Sequence, residues 1–186
     1  MSRKPSPKPK PRPGPTVVVA NKKAAAIGQL SSAILLWFNE ADPISILVLA
    51  TNAHDCYHAL GKKIGKPSFY GEWLATMPES MQRRAKYIQD FAKHGFMDIE
   101  EDAPFDEQVA AGLMTASILS HEEIYGADTK TGLMRLFTVR CYFEHPEWTL
   151  PHVRPHFEHG ATIHNLGSGS RKEFFDQCQP LLARYS

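Results

Sequence analysis

His94 and Asp90 have side-chain types and a spacing that could do chemistry together. They stand four residues apart in the run QDFAKH, Gln89 to His94. On a helix that spacing puts both side chains on one face. A histidine so placed can give and take protons near neutral pH, and Asp90 or Gln89 could orient its ring. A structural role fits the same position. His94 falls in the last turn of a helix, where a cation is favoured by the helix dipole, and could bond Asp98 or a free helix carbonyl. Position alone does not choose between the two roles.

Other groups that could carry chemistry are scattered. His54 and His58 share a helix face at i and i+4, a spacing that can hold zinc, with a third ligand sought at His94, His121 or the acidic loop. The Glu of the metalloprotease signature is missing, because Asp55, Cys56 and Tyr57 lie between them. The expectation is therefore no metal and no cofactor. Cys56, Cys141 and Cys178 form no CxxC pair and read as reduced thiols. Cys56 lies two residues from each histidine, on another face, and reads as a buried thiol rather than a nucleophile. His152, His156, His159 and His164 sit among prolines and glycines, as in an irregular metal-capturing tail. No nucleophile elbow and no glycine-rich phosphate loop occurs.

The elements that must position these groups read as helices. Pro78 suits a first helical position, and Met81, Ala85, Ile88, Phe91 and Ala92 line one apolar face as far as Gly95. An earlier helix, about Asn21 to Glu40, carries Ala26, Ile27, Leu30, Ala33, Ile34, Trp37 and Phe38. Asp42-Pro43 starts a second, with Ile46, Leu47, Leu49, Ala50, Ala53, Tyr57 and Leu60, ending at Gly61. The short break predicts antiparallel neighbours. Phe69 to Met77 is a short helix with Trp73 and Leu74 buried. The next carries Val109, Leu113, Ala116, Ile118 and Leu119 and closes near Gly126. Asp128 to Glu144 is another, broken at His145-Pro146. Residues 146–170 are irregular, and Ser170 caps a last helix kinked or interrupted at Pro180.

No strand alternation appears, so the fold class is all-α, a helical bundle. Its division is a basic proline-rich tail over 1–20, a bundle over 21–149, and a His/Pro/Gly-rich extension with a last helix over 150–186. Net charge is +1, too small for bulk attraction to polyanions. The tail, however, holds Arg3, Lys4, Lys8, Lys10 and Arg12 without an acid, and alternates them with proline. It reads as disordered, either a solubilising leader or a weak electrostatic hold on RNA, DNA or an acidic partner. No secretory leader and no apolar run near ~20 residues appears, which predicts a cytoplasmic protein without a membrane span.

Four stretches in this order, ILLWFNEADP, LATNAHDCYHALGKKIG, DFAKHGFMD and RCYFEHPE, resemble small bacterial proteins of the HEPN-like helical class over about Ala26 to Glu147. The resemblance implies a helical fold that pairs through its helices. In the catalytic branch an arginine precedes the histidine by five to seven positions and supports metal-independent RNA cleavage. Here those positions hold Gln89, Ile88 and Tyr87. An uncharged glutamine cannot stabilise a developing phosphorane charge. The resemblance thus favours a non-catalytic interaction module, a homodimer or half of a two-protein system. Trp37, Phe38, Phe91 and Phe96 are the expected exposed aromatics of its interface. The alternative is an RNA-binding protein or ribonuclease toxin using His94 and Asp90.

Overall fold

The computed structural model describes residues 21–76, 78–80, 82–83, 87, 90, 106–148, 155 and 169–182. Among them there is no strand, and the chain is all-α. The tail, His94, Phe91, Phe96 and the histidines from 152 to 164 lie outside the described residues.

Helix α1 spans Lys22–Phe38 and α2 Pro43–Lys63. Each begins at a side-chain cap. Asn21 Oδ1 accepts from the Ala24 N–H at 2.9 Å, and Asp42 Oδ2 from the Ser45 N–H at 2.8 Å, with Pro43 at the first position. Such caps contribute about 1 kcal/mol each by satisfying orphan donors. Between the two helices Glu40 takes a left-handed φ of 51°, which reverses the chain in a few residues. The two helices pack against each other as an αα-hairpin.

Helix α3 spans Phe69–Thr76. Glu79, Ser80, Gln82, Arg83, Tyr87 and Asp90 are also helical, and the Gln82 N–H donates to the Pro78 carbonyl at 3.1 Å. Helix α4 spans Glu107–Tyr125, capped by Asp106 and closed by Gly126 at φ 97°. A single 3-10 turn, Ala127–Thr129, leads to α5, Gly132–Glu144. The sequence pattern predicts a start for that helix at Asp128. Thr131 is the actual cap, its hydroxyl accepting from the Met134 N–H at 3.3 Å. A second 3-10 turn covers Pro146–Trp148, and α6 spans Arg171–Leu182 with Pro180 inside it rather than ending it.

Helix α2 is the centre, packed on both α1 and α4, while α5 bridges α1 and α6. The core follows the expected stripes: Ala26, Leu30, Ala33 and Ile34 of α1 face Leu47, Ala50, Ala53 and Tyr57 of α2, all fully buried. Trp37 and Phe38, expected at an interface, are instead core. Trp37 meets Phe137 edge-on at 4.9 Å, and Phe38 stacks on Phe175 at 5.1 Å. Once α5 and α6 close that end of α1, burial stabilises each such ring by about 1.5–3 kcal/mol. Leu74 is half-buried, not buried. No helix among the described residues is long and apolar enough to cross a membrane.

Candidate functional site

Of the expected pair, Asp90 is helical and half-buried, while His94 and the basic residues 3–12 lie outside the described residues. The structure gathers a different set: His54, His58, Ser68 and the groove beside them. Ser68 is buried, 1 % exposed, directly before α3. Two imidazoles converge on its hydroxyl, His54 Nε2 at 2.9 Å and His58 Nδ1 at 3.1 Å. The Gly71 N–H donates to the same oxygen at 3.1 Å, so Ser68 caps α3. The Ser68 N–H donates to His58 Nδ1 at 3.3 Å.

These contacts fix protons. A backbone N–H can only donate, so His58 Nδ1 is unprotonated. A hydroxyl donates once and accepts twice. Gly71 takes one lone pair. The hydroxyl proton goes to His58 Nδ1, and His54 Nε2–H fills the second lone pair. Burial, and then the Lys62 and His54 charges, hold the His58 pKa below its ordinary value, in keeping with a neutral ring. His54 Nδ1 faces the exposed Asp55 at 3.9 Å. Gly71 is needed here, because a Cβ on it would lie 2.6 Å from the His58 ring.

The third sought ligand, His121, lies elsewhere. Its Nδ1 accepts from Tyr57 O–H at 3.0 Å, and its Nε2–H donates to Thr129 Oγ1 at 2.9 Å. Thr129 in turn donates to the Gly126 carbonyl at 2.7 Å. This relay ties α2, α4 and the 3-10 turn together. Burial first of all lowers the His121 pKa and raises that of Tyr57. Among the described residues no group of three His, Cys, Asp or Glu side chains could hold a metal ion. Cys56 is half-buried rather than buried, and burial pushes the Cys141 thiol pKa well up, which makes it inert.

Beside Ser68, its two successors open a groove. Phe69 and Tyr70 of α3, Gly112, Thr115, Ala116, Leu119, Ser120 and Glu123 of α4, and Trp148 line about 230 Å³. Phe69 is 78 %, Leu119 54 % and Trp148 42 % exposed. Leu119, expected on the buried stripe, faces this groove because α2 covers the other side of α4. Tyr70 meets the His54 ring edge-on at 5.2 Å, so the histidine network backs the groove wall. Trp148 is held by a stack on His145 at 4.0 Å. Lys66 Nζ donates to the Glu123 carbonyl at 3.0 Å, tying the loop before α3 to α4.

A second cleft, about 300 Å³, lies between the α1–α2 turn and the start of α6. Its cation is already engaged. Arg171 lies 4.2 Å over the Trp37 ring and donates to both oxygens of Glu144 at 3.0 to 3.2 Å. Sequence reasoning missed the Ser68 network, since a lone serine after Lys66-Pro67 carries no motif, and His54 with His58 was the one signal pointing there. Compared with protein families, characterised proteins and solved structures, the chain matches none.

Proposed function

We propose that this protein is a non-catalytic helical interaction module that pairs with a second copy of itself through the α3–α4 groove. The observation that carries this reading is the groove's shape. A protruding aromatic ring, Phe69, and a recess floored by Gly112 and Ala116 lie on one face. A Cβ on Gly112 would meet no atom within 4 Å, so the recess is open. A two-fold interface needs a self-complementary patch, in which the knob of each copy enters the hole of the other. Burial of Phe69 and Leu119 would then contribute about 1.5–3 kcal/mol per side chain. The described histidines, 54, 58, 121 and 145, are engaged in contacts that hold elements together, which supports a binding rather than a catalytic role. The HEPN-like resemblance and a cytoplasmic setting belong to the same proposal, because that class pairs through its helices.

The test is size-exclusion chromatography with light scattering on the full chain. The wild type is expected to be a concentration-dependent dimer. Phe69→Glu and Gly112→Leu are each expected to give folded monomers, the first by charging the knob and the second by filling the hole. A second test mixes Phe69→Cys chains with Ala116→Cys chains, and a disulfide is expected between the two kinds of chain. A strict monomer at high concentration would sink the reading.

A further inference from the structure

The groove and the histidine network meet along three consecutive residues. Ser68 is pinned between two imidazoles, while Phe69 and Tyr70, next in the chain, line the groove. Whatever loosens Ser68 therefore moves the knob. The two histidines are not equivalent in this respect. His54 meets Ser68 through Nε2, and its other nitrogen, Nδ1, faces Asp55 rather than the serine. An added proton on His58 goes to Nδ1, where it confronts the Ser68 N–H donor at 3.3 Å. The Ser68 hydroxyl could accept that proton only by turning its own hydrogen toward His54 Nε2, which already carries one. Five donor hydrogens would then meet too few acceptors, in a pocket from which Ser68 has no exit to water. Gly71 closes the other side, its Cα hydrogens being all the His58 ring leaves room for.

We propose that His58 is a proton-operated latch on the groove: neutral, it holds the first turn of α3 in place, and protonated, it releases the segment carrying Phe69 and Tyr70. The consequence for pairing rests on the dimer reading above. The charged and titratable groups around His58 are His54, Asp55 and Lys62 on α2 and Glu72 on α3. The two acids favour the protonated ring, whereas burial, Lys62 and His54 oppose it and prevail. The latched state therefore binds fewer protons than the released one. It holds fully above about pH 6.5, the ordinary histidine value, and yields as pH falls below it.

The experiment follows the full chain from about pH 8 to about pH 5.5, the range in which histidine titrates. Sedimentation reads the dimer dissociation constant. NMR reads the His58 ring titration and the hydrogen-exchange protection of the Phe69 to Gly71 amides, corrected for intrinsic exchange. We expect protection to fall as His58 titrates and dimer affinity to weaken severalfold over the same pH range. His58→Asn keeps an acceptor near the Nδ1 position without titrating, and is expected to remove the pH dependence. His54→Gln keeps a donor near Nε2 and is expected to preserve it. Unchanged protection through the His58 titration, or a wild-type pH dependence in His58→Asn, overturns the latch. A chain that is monomeric at pH 8 removes the dimer reading alone, since amide protection still decides the latch.

Discussion

Tyr57 sits between α2 and α4, and its hydroxyl matters through the partner it keeps satisfied. Its proton goes to His121 Nδ1 at 3.0 Å, and the other side of that ring is fully used on Thr129. Tyr57→Phe preserves the ring volume but leaves a buried imidazole nitrogen unpaired. That should cost about 1–3 kcal/mol in denaturant titration, the desolvation penalty of an orphaned group. A loss below about 0.5 kcal/mol would mean His121 finds another donor. The same residues set a pH dependence. His58 and His121 both have pKa values held below the ordinary value, chiefly by burial. The unfolded chain therefore binds more protons than the folded one around and below pH 6.5. Stability should be full above about pH 6.5 and decline as pH falls through that value toward the folded-state pKa values. Thermal melts from pH 8 downward check this. A melting temperature that rises on acidification to about pH 5.5 would contradict the assignment of both rings as neutral.

Gly61 separates what an element's sequence shows from what its packing adds. Read alone, it looks like a helix terminator, because glycine often takes the left-handed cap. The helix instead runs on to Lys63, and Gly61 is a place where the returning chain touches the helix. Its Cβ would overlap the Lys66 carbonyl oxygen, which accepts no such intrusion while the Lys66 N–H is bonded to the Gly61 carbonyl at 2.8 Å. Gly61→Ala must push that loop away and should cost about 1–3 kcal/mol, as overpacking does. Because the loop leads to Ser68, the melt should be accompanied by lost protection at Gly71; a neutral Gly61→Ala would show the loop to be compliant. The elements that were legible are those with local signals. Asp42-Pro43 and Ser170 cap where their types suggest, and Ser170 and Glu173 bond each other's backbone N–H at 3.1 and 2.8 Å. The stripe of α1 reads directly as core, apart from the partly buried Ile27. What could not be read is which face of an amphipathic helix finds a cover. Leu113 and Leu119 belong to one pattern, yet α2 buries the first and leaves the second in the groove. Trp37 and Phe38 are the converse, since their cover comes from Phe137, Phe174 and Phe175, about a hundred or more residues away in sequence. The Ser68 pin joins residues 10 and 14 apart across a loop, where no periodicity operates.

At the scale of the whole chain, charge and burial are divided unevenly. The described core residues run from Ala26 to Cys178, and α1 supplies its own cap at Asn21. The segment before it alternates proline with Arg3, Lys4, Lys8, Lys10 and Arg12 and offers little apolar surface beyond Val17, Val18 and Val19. If the bundle is self-sufficient, a chain beginning at Asn21 should keep its helical circular dichroism and a cooperative melt within about 0.5 kcal/mol of the full chain, the usual limit for changes away from the core. A larger loss would place the valines against the bundle and move the domain boundary toward the N-terminus. The same truncation tests the RNA alternative, because the tail holds five bases without an acid while the chain as a whole carries +1. Removing them leaves 16 bases against 20 acids, from 21 less 5 and the unchanged 20. A body with that balance repels a polyanion, so any binding to single-stranded RNA should depend on the tail and weaken steeply with salt. A gel shift at about 50 mM and about 200 mM salt with both chains measures it. Tail-dependent, salt-sensitive binding would assign RNA contact to the tail and leave pairing to the groove. RNA turnover by the full chain that is lost in His94→Ala of unchanged stability would instead restore a catalytic role for His94 and Asp90 and displace the interaction reading.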